Sequence, residues 1–388
     1  MKKIFRRKKQ VKDNKYSWFD PRRLFATRAT SDCRLCRGVK TLTHRLAQLP
    51  ERLRLWLLQK RQRPLNERNL IYQFHVRNYP GSRNRSYMVH VPPGYNGRGA
   101  VPLVMVLHGC RQTHLDIRQV SGFDAIADRE GFIVLYPYIT SYSGFRTRNC
   151  WGWWFKNEIT PGRGEVEDLW QIIEEVKGYY HIDPRRIHVT GLSSGGGMAV
   201  AMMVVHADKI ASGAVVAGAP YSETARAVSF VRFYKGMFKP VGKIVRAMED
   251  AMGPYKKPPP IMVVHSHEDE TVNIQAAKNI RDSWAACHQL DLQQPAVTSS
   301  GTTGETHWEH IRYRGGHRQT LIETLFLSGP GHGWYGGAPG NYSYPEAPDI
   351  SKMMWSFFNT HVHEESAREL STSGLRVESV SMSQAHTA

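Results

Sequence analysis

An α/β fold, with a mostly parallel sheet carrying helices on both faces, is predicted by three observations. From about residue 70, short apolar runs alternate with helical stretches. Several of the runs are continuous in Val, Ile and Leu, as in strands buried on both faces. The stretches between them carry apolar residues at helical spacing. In order, residues 73–76 and 86–91 alternate apolar with polar and are joined by Pro80-Gly81-Ser82, which predicts an antiparallel hairpin opening the sheet. Buried strands are predicted at 102–107, 132–136 and 186–190. Helices are expected at 123–129 and 165–179, the second aligning Val166, Leu169, Ile172, Ile173 and Val176 on one face. A helix after Ser194, strands near 211–216 and 261–265, a helix near 275–287, a strand near 324–327 and a last helix around 350–360 complete the pattern. Residues 221–260 read as a long, basic insertion between two strands, a candidate cap bearing Phe230, Phe233, Tyr234 and Phe238.

The 388 residues are 41% apolar and 22% charged, a balance that excludes a fibrous or wholly disordered chain. No repeat of about 20 to 50 residues appears, which excludes solenoids and propellers. The reading is one domain over 70–363, preceded by a basic extension (1–69, partly disordered or a short helix) and followed by a loose Ser-rich tail (364–388). The net charge of +18 sits in the extension. Residues 1–65 hold 20 Lys+Arg against 4 Asp+Glu, and the rest of the chain holds 32 against 30. Such an arm is expected to contact anionic surfaces, but no motif for specific nucleic acid follows it.

No run of about 18 apolar residues predicts a membrane span. Met1 to Gln10 carries six basic residues without the apolar run of a secretory signal, so export by the general route is not expected from this start. Residues 44–60 combine Leu46, Leu49, Leu53, Trp56 and Leu57 with Arg45, Arg52 and Arg54, an amphipathic helix interrupted by Pro50. Cys33 and Cys36 form a C-x-x-C with neither a second pair for zinc nor a surrounding βαβ pattern.

The strongest local signal is Gly191-Leu192-Ser193-Ser194-Gly195-Gly196-Gly197, between a predicted strand and a predicted helix. A G-x-S-x-G at such a junction places a serine nucleophile in a tight turn, with flanking glycines leaving room for neighbouring backbone. The Lys of a nucleotide-binding P-loop is absent. A serine hydroxyl requires a histidine base, and the base requires a carboxylate to fix its tautomer. In the order serine, acid, histidine, the candidates are Asp269 in the loop after the 261–265 strand and His332 in the Gly-rich segment Ser328 to Trp334. Glu268 and Glu270 flank Asp269, which is preferred for its position relative to the strand and Val272. His108, His265 and His267 lie near the same edge, but only His332 has the required order and a glycine setting. The candidate oxyanion donors are the N–H groups of Cys110, after the strand ending Leu107-His108-Gly109, and of Ser194. No cofactor or metal is required for this chemistry.

At these residues the chain resembles the PHB depolymerase-like esterases, a family of α/β-hydrolases that includes poly(3-hydroxyalkanoate) depolymerases and feruloyl-type esterases. The matching pieces are PLVMVLHGCRQT from Pro102, ADREGFIVLYP from Ala127, NCWGWW from Asn149, PRRIHVTGLSSGGGMA from Pro184, AGAPY from Ala217, HSHEDETVN from His265 and GPGHGW from Gly329. The resemblance covers roughly residues 70 to 360. The resemblance implies an α/β-hydrolase whose insertion falls between the strands before the catalytic acid. It implies a serine esterase for short hydroxyalkanoate esters, oligomers or polyesters, with feruloyl or acetylxylan esters as the alternative substrates. It places the nucleophile at Ser193, the acid at Asp269, the base at His332 and an oxyanion donor at Cys110, and it implies a disulfide between Cys110 and Cys150. It also implies an extracellular protein, against the missing signal, which leaves the cytoplasm as the alternative. Here Ser266 stands where the family favours glycine after the histidine, and Ser194 where it favours alanine. Trp151, Trp154 and Trp334 are expected as walls of an apolar acyl pocket.

Two rivals come from other classes. His265-Ser266-His267-Glu268-Asp269 is an H-x-H-x-D of the kind found in binuclear metallohydrolases, but Glu270 follows where such sites continue with histidine. The other is a non-catalytic binding protein that keeps the fold and docks through its basic extension.

Overall fold

Strands that are apolar on both sides need cover on both sides, and the chain provides it with two sets of helices. The computed structural model describes residues 68–139, 148–223, 235–255, 257–316 and 319–363. The extension before residue 68, with Cys33, Cys36 and the 44–60 stretch, lies outside the described residues, as do Phe230, Phe233 and Tyr234 of the insertion and the tail from 364.

The strands are β1 (Asn69–Phe74), β2 (Arg85–His90), β3 (Val101–Leu107), β4 (Ile133–Tyr138), β5 (Ile182–Leu192), β6 (Ser212–Val216), β7 (Ile261–Ser266), β8 (Val297–Thr303), β9 (Thr306–Arg314) and β10 (Thr320–Ser328), with a small pair β11 (Trp334–Tyr335) and β12 (Ser343–Tyr344). The first ten form one sheet in the order β1-β2-β4-β3-β5-β6-β7-β10-β9-β8. From β4 to β10 neighbours are parallel, and antiparallel pairs flank this block on both sides.

The helices are α1 (His114–Ser121), α2 (Phe123–Glu130), α3 (Gly164–Tyr179), α4 (Ser194–Val205), α5 (Val241–Met252), α6 (Gln275–His288) and α7 (Ile350–Phe358). Alternate residues of each central strand feed opposite cores. Leu103, Met105 and Leu107 of β3 join α3, α4, α5 and α6, while Val104 and Val106 join α1, α2 and α7. Each such side chain contributes about 1.5–3 kcal/mol by leaving water.

The hairpin is tied to α3 by buried charge. The Arg85 guanidinium meets Asp168 at 2.7 Å, with the two side chains 2% and 0% exposed, and Asp168 also accepts from Tyr79 Oη at 2.5 Å. An isolated buried charge would be costly, so each is paired.

The structure differs from the sequence reading in several places. The first strand runs Asn69–Phe74 rather than 73–76, because Leu70, Tyr72 and Phe74 point inward. The strands β8 and β9 were not expected, since VTSSGTT holds one apolar residue and its faces are mostly exposed. The insertion contains α5, whose Ile244, Met248 and Met252 join Ile280 and Trp284 in one core. This part of the expected cap is therefore packed against α4 and α6.

Candidate active site

The chain passes from β5 into α4 through Ser193, which has φ 57° and ψ −115°. A non-glycine residue in this sparsely populated positive-φ conformation costs about 1–3 kcal/mol. The turn is held by Ser193 N–H donating to the Val216 carbonyl (2.8 Å) and by the Ser193 carbonyl accepting from Gly197 N–H (2.9 Å). At residue 195 a Cβ would lie 2.3 Å from the Leu107 carbonyl oxygen and 2.6 Å from that of His108, so only glycine lets the end of β3 cross the first turn of α4. Between residues 187 and 204, Ser193 alone is not buried.

That close crossing brings the turn after β3 against the serine. A Cβ on Gly109 would be 3.5 Å from Ser193 Cβ. Within the turn, Gly109 N–H donates to Gln112 Oε1 (2.9 Å), Arg111 N–H to the Arg148 carbonyl (2.6 Å) and Gln112 N–H to the Gly109 carbonyl (3.3 Å). Among the described residues, Cys110 N–H is the donor of this turn left without a partner. A disulfide joins Cys110 to Cys150 after β4. The Trp151 indole N–H donates to the His108 carbonyl (3.0 Å), and Gly152 N–H to Glu165 Oε2 (2.6 Å).

The acid and base stand on the loops after β7 and β10. His332 Nδ1 donates to Asp269 Oδ2 at 2.6 Å, while Asp269 Oδ1 accepts from Thr271 N–H and Val272 N–H, both at 2.8 Å. Burial pushes the Asp269 carboxyl up, but the hydrogen bond and charge of His332, then His265 and Val272 N–H, outweigh it and leave the pKa below the usual carboxylate value. Glu268 and Glu270 are exposed. The Glu268 carboxylate accepts from Ser266 Oγ (3.1 Å) and Gly329 N–H (3.0 Å), which fastens the acid loop to the base loop. With Nδ1 on Asp269, the Nε2 of His332 is the nitrogen left for proton transfer. Among the described residues, Ser193 Oγ and His332 Nε2 make no hydrogen bond to each other, and catalytic hydrogen bonds of this kind often tighten only in the Michaelis complex.

The other histidines have separate roles. His108 is fully buried, which lowers its pKa to about 4, and it is held neutral by Nδ1–H donating to the Gly109 carbonyl and Nε2 accepting from Ile139 N–H. His265 is buried, which lowers its pKa. Its Nε2–H donates to the Val272 carbonyl (2.7 Å) and lies 3.4 Å from Asp269 Oδ2. His267 is exposed and sets its ring edge against Phe326, away from this pair. Among the described residues no group of three or more His, Cys, Asp or Glu is arranged to hold a metal ion.

Trp151 and Trp334 are fully buried, the second donating to Ser351 Oγ (3.0 Å) and facing Phe123, so neither ring presents surface to solvent. Trp154 is 8% exposed and stacks edge-on with Trp153. Two residues near the site were not singled out from the sequence. Gln112, fully buried, also donates from Nε2 to the Asn341 carbonyl (3.0 Å), and Tyr342 sets its ring edge-on to His332 at 6.3 Å. Gln112 stood within the HGCRQT motif, whereas nothing local marked Tyr342.

A parallel sheet that carries a left-handed serine turn, an acid loop and a histidine loop at the carboxyl ends of β5, β7 and β10 is the architecture of an α/β-hydrolase. This chain belongs to the family described as Esterase PHB depolymerase, which it matches over residues 85–306, a span holding Ser193 and Asp269. It is 33% identical over 255 residues to poly(3-hydroxyalkanoate) depolymerase C of Paucimonas lemoignei, covering 64% of this chain and 58% of that one. It spans only 29% of the poly(3-hydroxybutyrate) depolymerase of Ralstonia pickettii. An acetylxylan esterase of Coprinopsis cinerea is 28% identical, covering 64% of this chain and 66% of that protein. Among solved structures, an acetyl xylan esterase from Aspergillus awamori superposes with a TM-score of 0.60 at 20% identity, over 75% of this chain and 99% of that one, and so shares the fold.

Proposed function

We propose that the protein is a carboxylic ester hydrolase that works through a covalent acyl-enzyme on Ser193. The observation that carries this reading is the 2.6 Å Asp269–His332 hydrogen bond on the same sheet edge as a serine held in a left-handed turn. Ser193 Oγ forms a bond to the ester carbonyl carbon while its proton passes to His332 Nε2. The carbonyl oxygen takes the electron pair and is received by the N–H groups of Cys110 and Ser194. As the tetrahedral centre collapses, the bond to the alcohol oxygen breaks and His332 returns the proton to that oxygen. Water, deprotonated by His332, then releases the acid and restores Ser193. Asp269 holds His332 in the tautomer with Nδ1–H and stabilises its charged form.

The substrates are 3-hydroxybutyrate-type esters, oligomers or polyesters, a reading supported by the two depolymerases among the relatives. A second reading, esters on plant polysaccharide, is supported by relatives named feruloyl esterase B and acetylxylan esterase. The Cys110–Cys150 disulfide supports an oxidising, extracellular setting.

The test is a panel of p-nitrophenyl esters, 3-hydroxybutyrate oligomers, feruloyl esters and acetylated xylo-oligosaccharides, run on the wild type and on Ser193→Ala. The variant is expected to keep its far-UV circular dichroism spectrum and lose about 10⁴-fold or more in kcat. Retained turnover would remove Ser193 from the mechanism.

A further inference from the structure

Seven non-glycine residues among those described have positive φ, and Tyr342 is the one aromatic side chain in the group. Its φ is 61°. For a bulky residue this is an outlier, and an observed outlier at a functional site warrants a functional explanation.

The backbone explains the turn but not the tyrosine. The Tyr342 carbonyl accepts from Trp334 N–H (2.7 Å), the Asn341 carbonyl accepts from the buried Gln112 amide (3.0 Å), and Ser343–Tyr344 pairs with Trp334–Tyr335. The approach is close enough that a Cβ on Gly333 would lie 2.7 Å from the Tyr342 carbonyl oxygen. All of these contacts use main-chain atoms of 341–344, so glycine at 342 would satisfy them at lower cost. Packing does not explain the side chain either. The residue is 39% exposed, its hydroxyl has no hydrogen-bond partner among the described residues, and its one ring contact there is the edge-on approach to His332.

We infer that Tyr342 forms a subsite for the alcohol portion of the ester, taking CH-rich, bulky leaving groups on its exposed ring. The inference rests on the ester-hydrolase reading above. When the tetrahedral centre collapses, His332 must stand within hydrogen-bonding distance of the departing oxygen. The alcohol therefore leaves past His332, and the ring that stands edge-on to this imidazole, 6.3 Å away, is that of Tyr342. A ring on a backbone anchored from Gln112 and from Trp334 loses little freedom on binding and presents an apolar face to water. Small alcohols do not reach it. A further hydroxyacyl unit or a sugar ring does, and these two share the chemistry the ring selects.

The experiment compares wild type with Tyr342→Gly and Tyr342→Phe on methyl 3-hydroxybutyrate, on the 3-hydroxybutyrate trimer and on acetylated xylo-oligosaccharide. The readout is the ratio of kcat/KM for each bulky-alcohol ester to that for the methyl ester. Tyr342→Gly is expected to lower this ratio about tenfold, mainly through KM, and Tyr342→Phe to preserve it. The substrate whose ratio falls identifies which alcohol the subsite serves. The thermal midpoint of Tyr342→Gly is expected to equal or exceed that of the wild type. An unchanged ratio in Tyr342→Gly, or a drop of several degrees in its midpoint, overturns the subsite. Failure of the wild type to hydrolyse any of these esters would instead overturn the ester-hydrolase reading, which separates the two.

Discussion

The turn around Ser193 is held by backbone crowding, whereas the loops bearing Asp269 and His332 are held by hydrogen bonds of side chains, some within a loop and some between the two. At the serine, neighbouring strands and helix pass so closely that residue 195 has no space for a Cβ. At the pair, Asp269 is fixed by two N–H groups of its own loop, and Glu268 reaches 61 residues along the chain to Gly329. Crowding is all or none, while a hydrogen-bond network weakens by steps. The nucleophile position is consequently the brittle half of the site and the acid–base pair the tunable half.

The largest effect should come from breaking the crowded half. Gly195→Ala places a Cβ against two carbonyl oxygens that belong to β3 and its turn, and neither can retreat without dismantling the sheet. A loss of more than about 4 kcal/mol is expected, read as absent soluble protein or a collapsed thermal transition. A Gly195→Ala protein that melts within a few degrees of wild type would contradict the crowding argument.

The tunable half should respond in graded fashion. Asp269→Asn keeps the shape but favours the wrong imidazole tautomer, so kcat is expected to fall about 10²–10⁴-fold with a native circular dichroism spectrum. Glu268→Gln removes a charge that only fastens one loop to another. A stability loss of about 1 kcal/mol and a kcat within tenfold of wild type are expected. Equal kcat losses in the two variants would show that the loops, and not the Asp269 charge, set the rate.

The last effect, on acid stability, is small for each group and pH unit but adds over several buried histidines. Burial lowers the pKa of His108 to about 4 and those of His188 and His206 to about 3. The unfolded chain therefore takes up protons at these positions below about pH 6.5, where the folded protein does not. Stability present above that pH is lost as pH falls toward the folded values, by roughly 1 kcal/mol per pH unit for each group. The lowered pKa of Asp269 has the same sign but acts later, its contribution disappearing only below the ordinary carboxylate range. Urea unfolding between pH 7.5 and 4.5 measures the slope, and His188→Gln should flatten it by one proton. An unaltered slope would show that His188 is not held neutral.

Much of this architecture was legible before any coordinates. The strands β3, β4, β5 and β7 were readable because apolar runs covered on both faces leave a continuous signature, and the serine turn because its glycines are consecutive. By contrast β8, with Thr298, Ser300 and Thr302 facing water, carries no hydrophobic period, and neither it nor its partner β9 is predicted. The helix α1 was also passed over, although Thr113 and Asp116 form a reciprocal cap at its start.

The residues from 191 to 197 dictate a tight strand-to-helix turn because steric exclusion acts between near neighbours and is written into consecutive positions. Which of Glu268, Asp269 and Glu270 meets the imidazole is a different matter. It depends on β7 and β10 lying side by side, so that positions 63 apart come within 2.6 Å. The brace from Gln112 to Asn341, 229 residues away, and the ring of Tyr342 beside His332 depend on the same strand order. Hydrogen bonds and ring contacts of that range exist only once the sheet has assembled, which is why folding alone decided them.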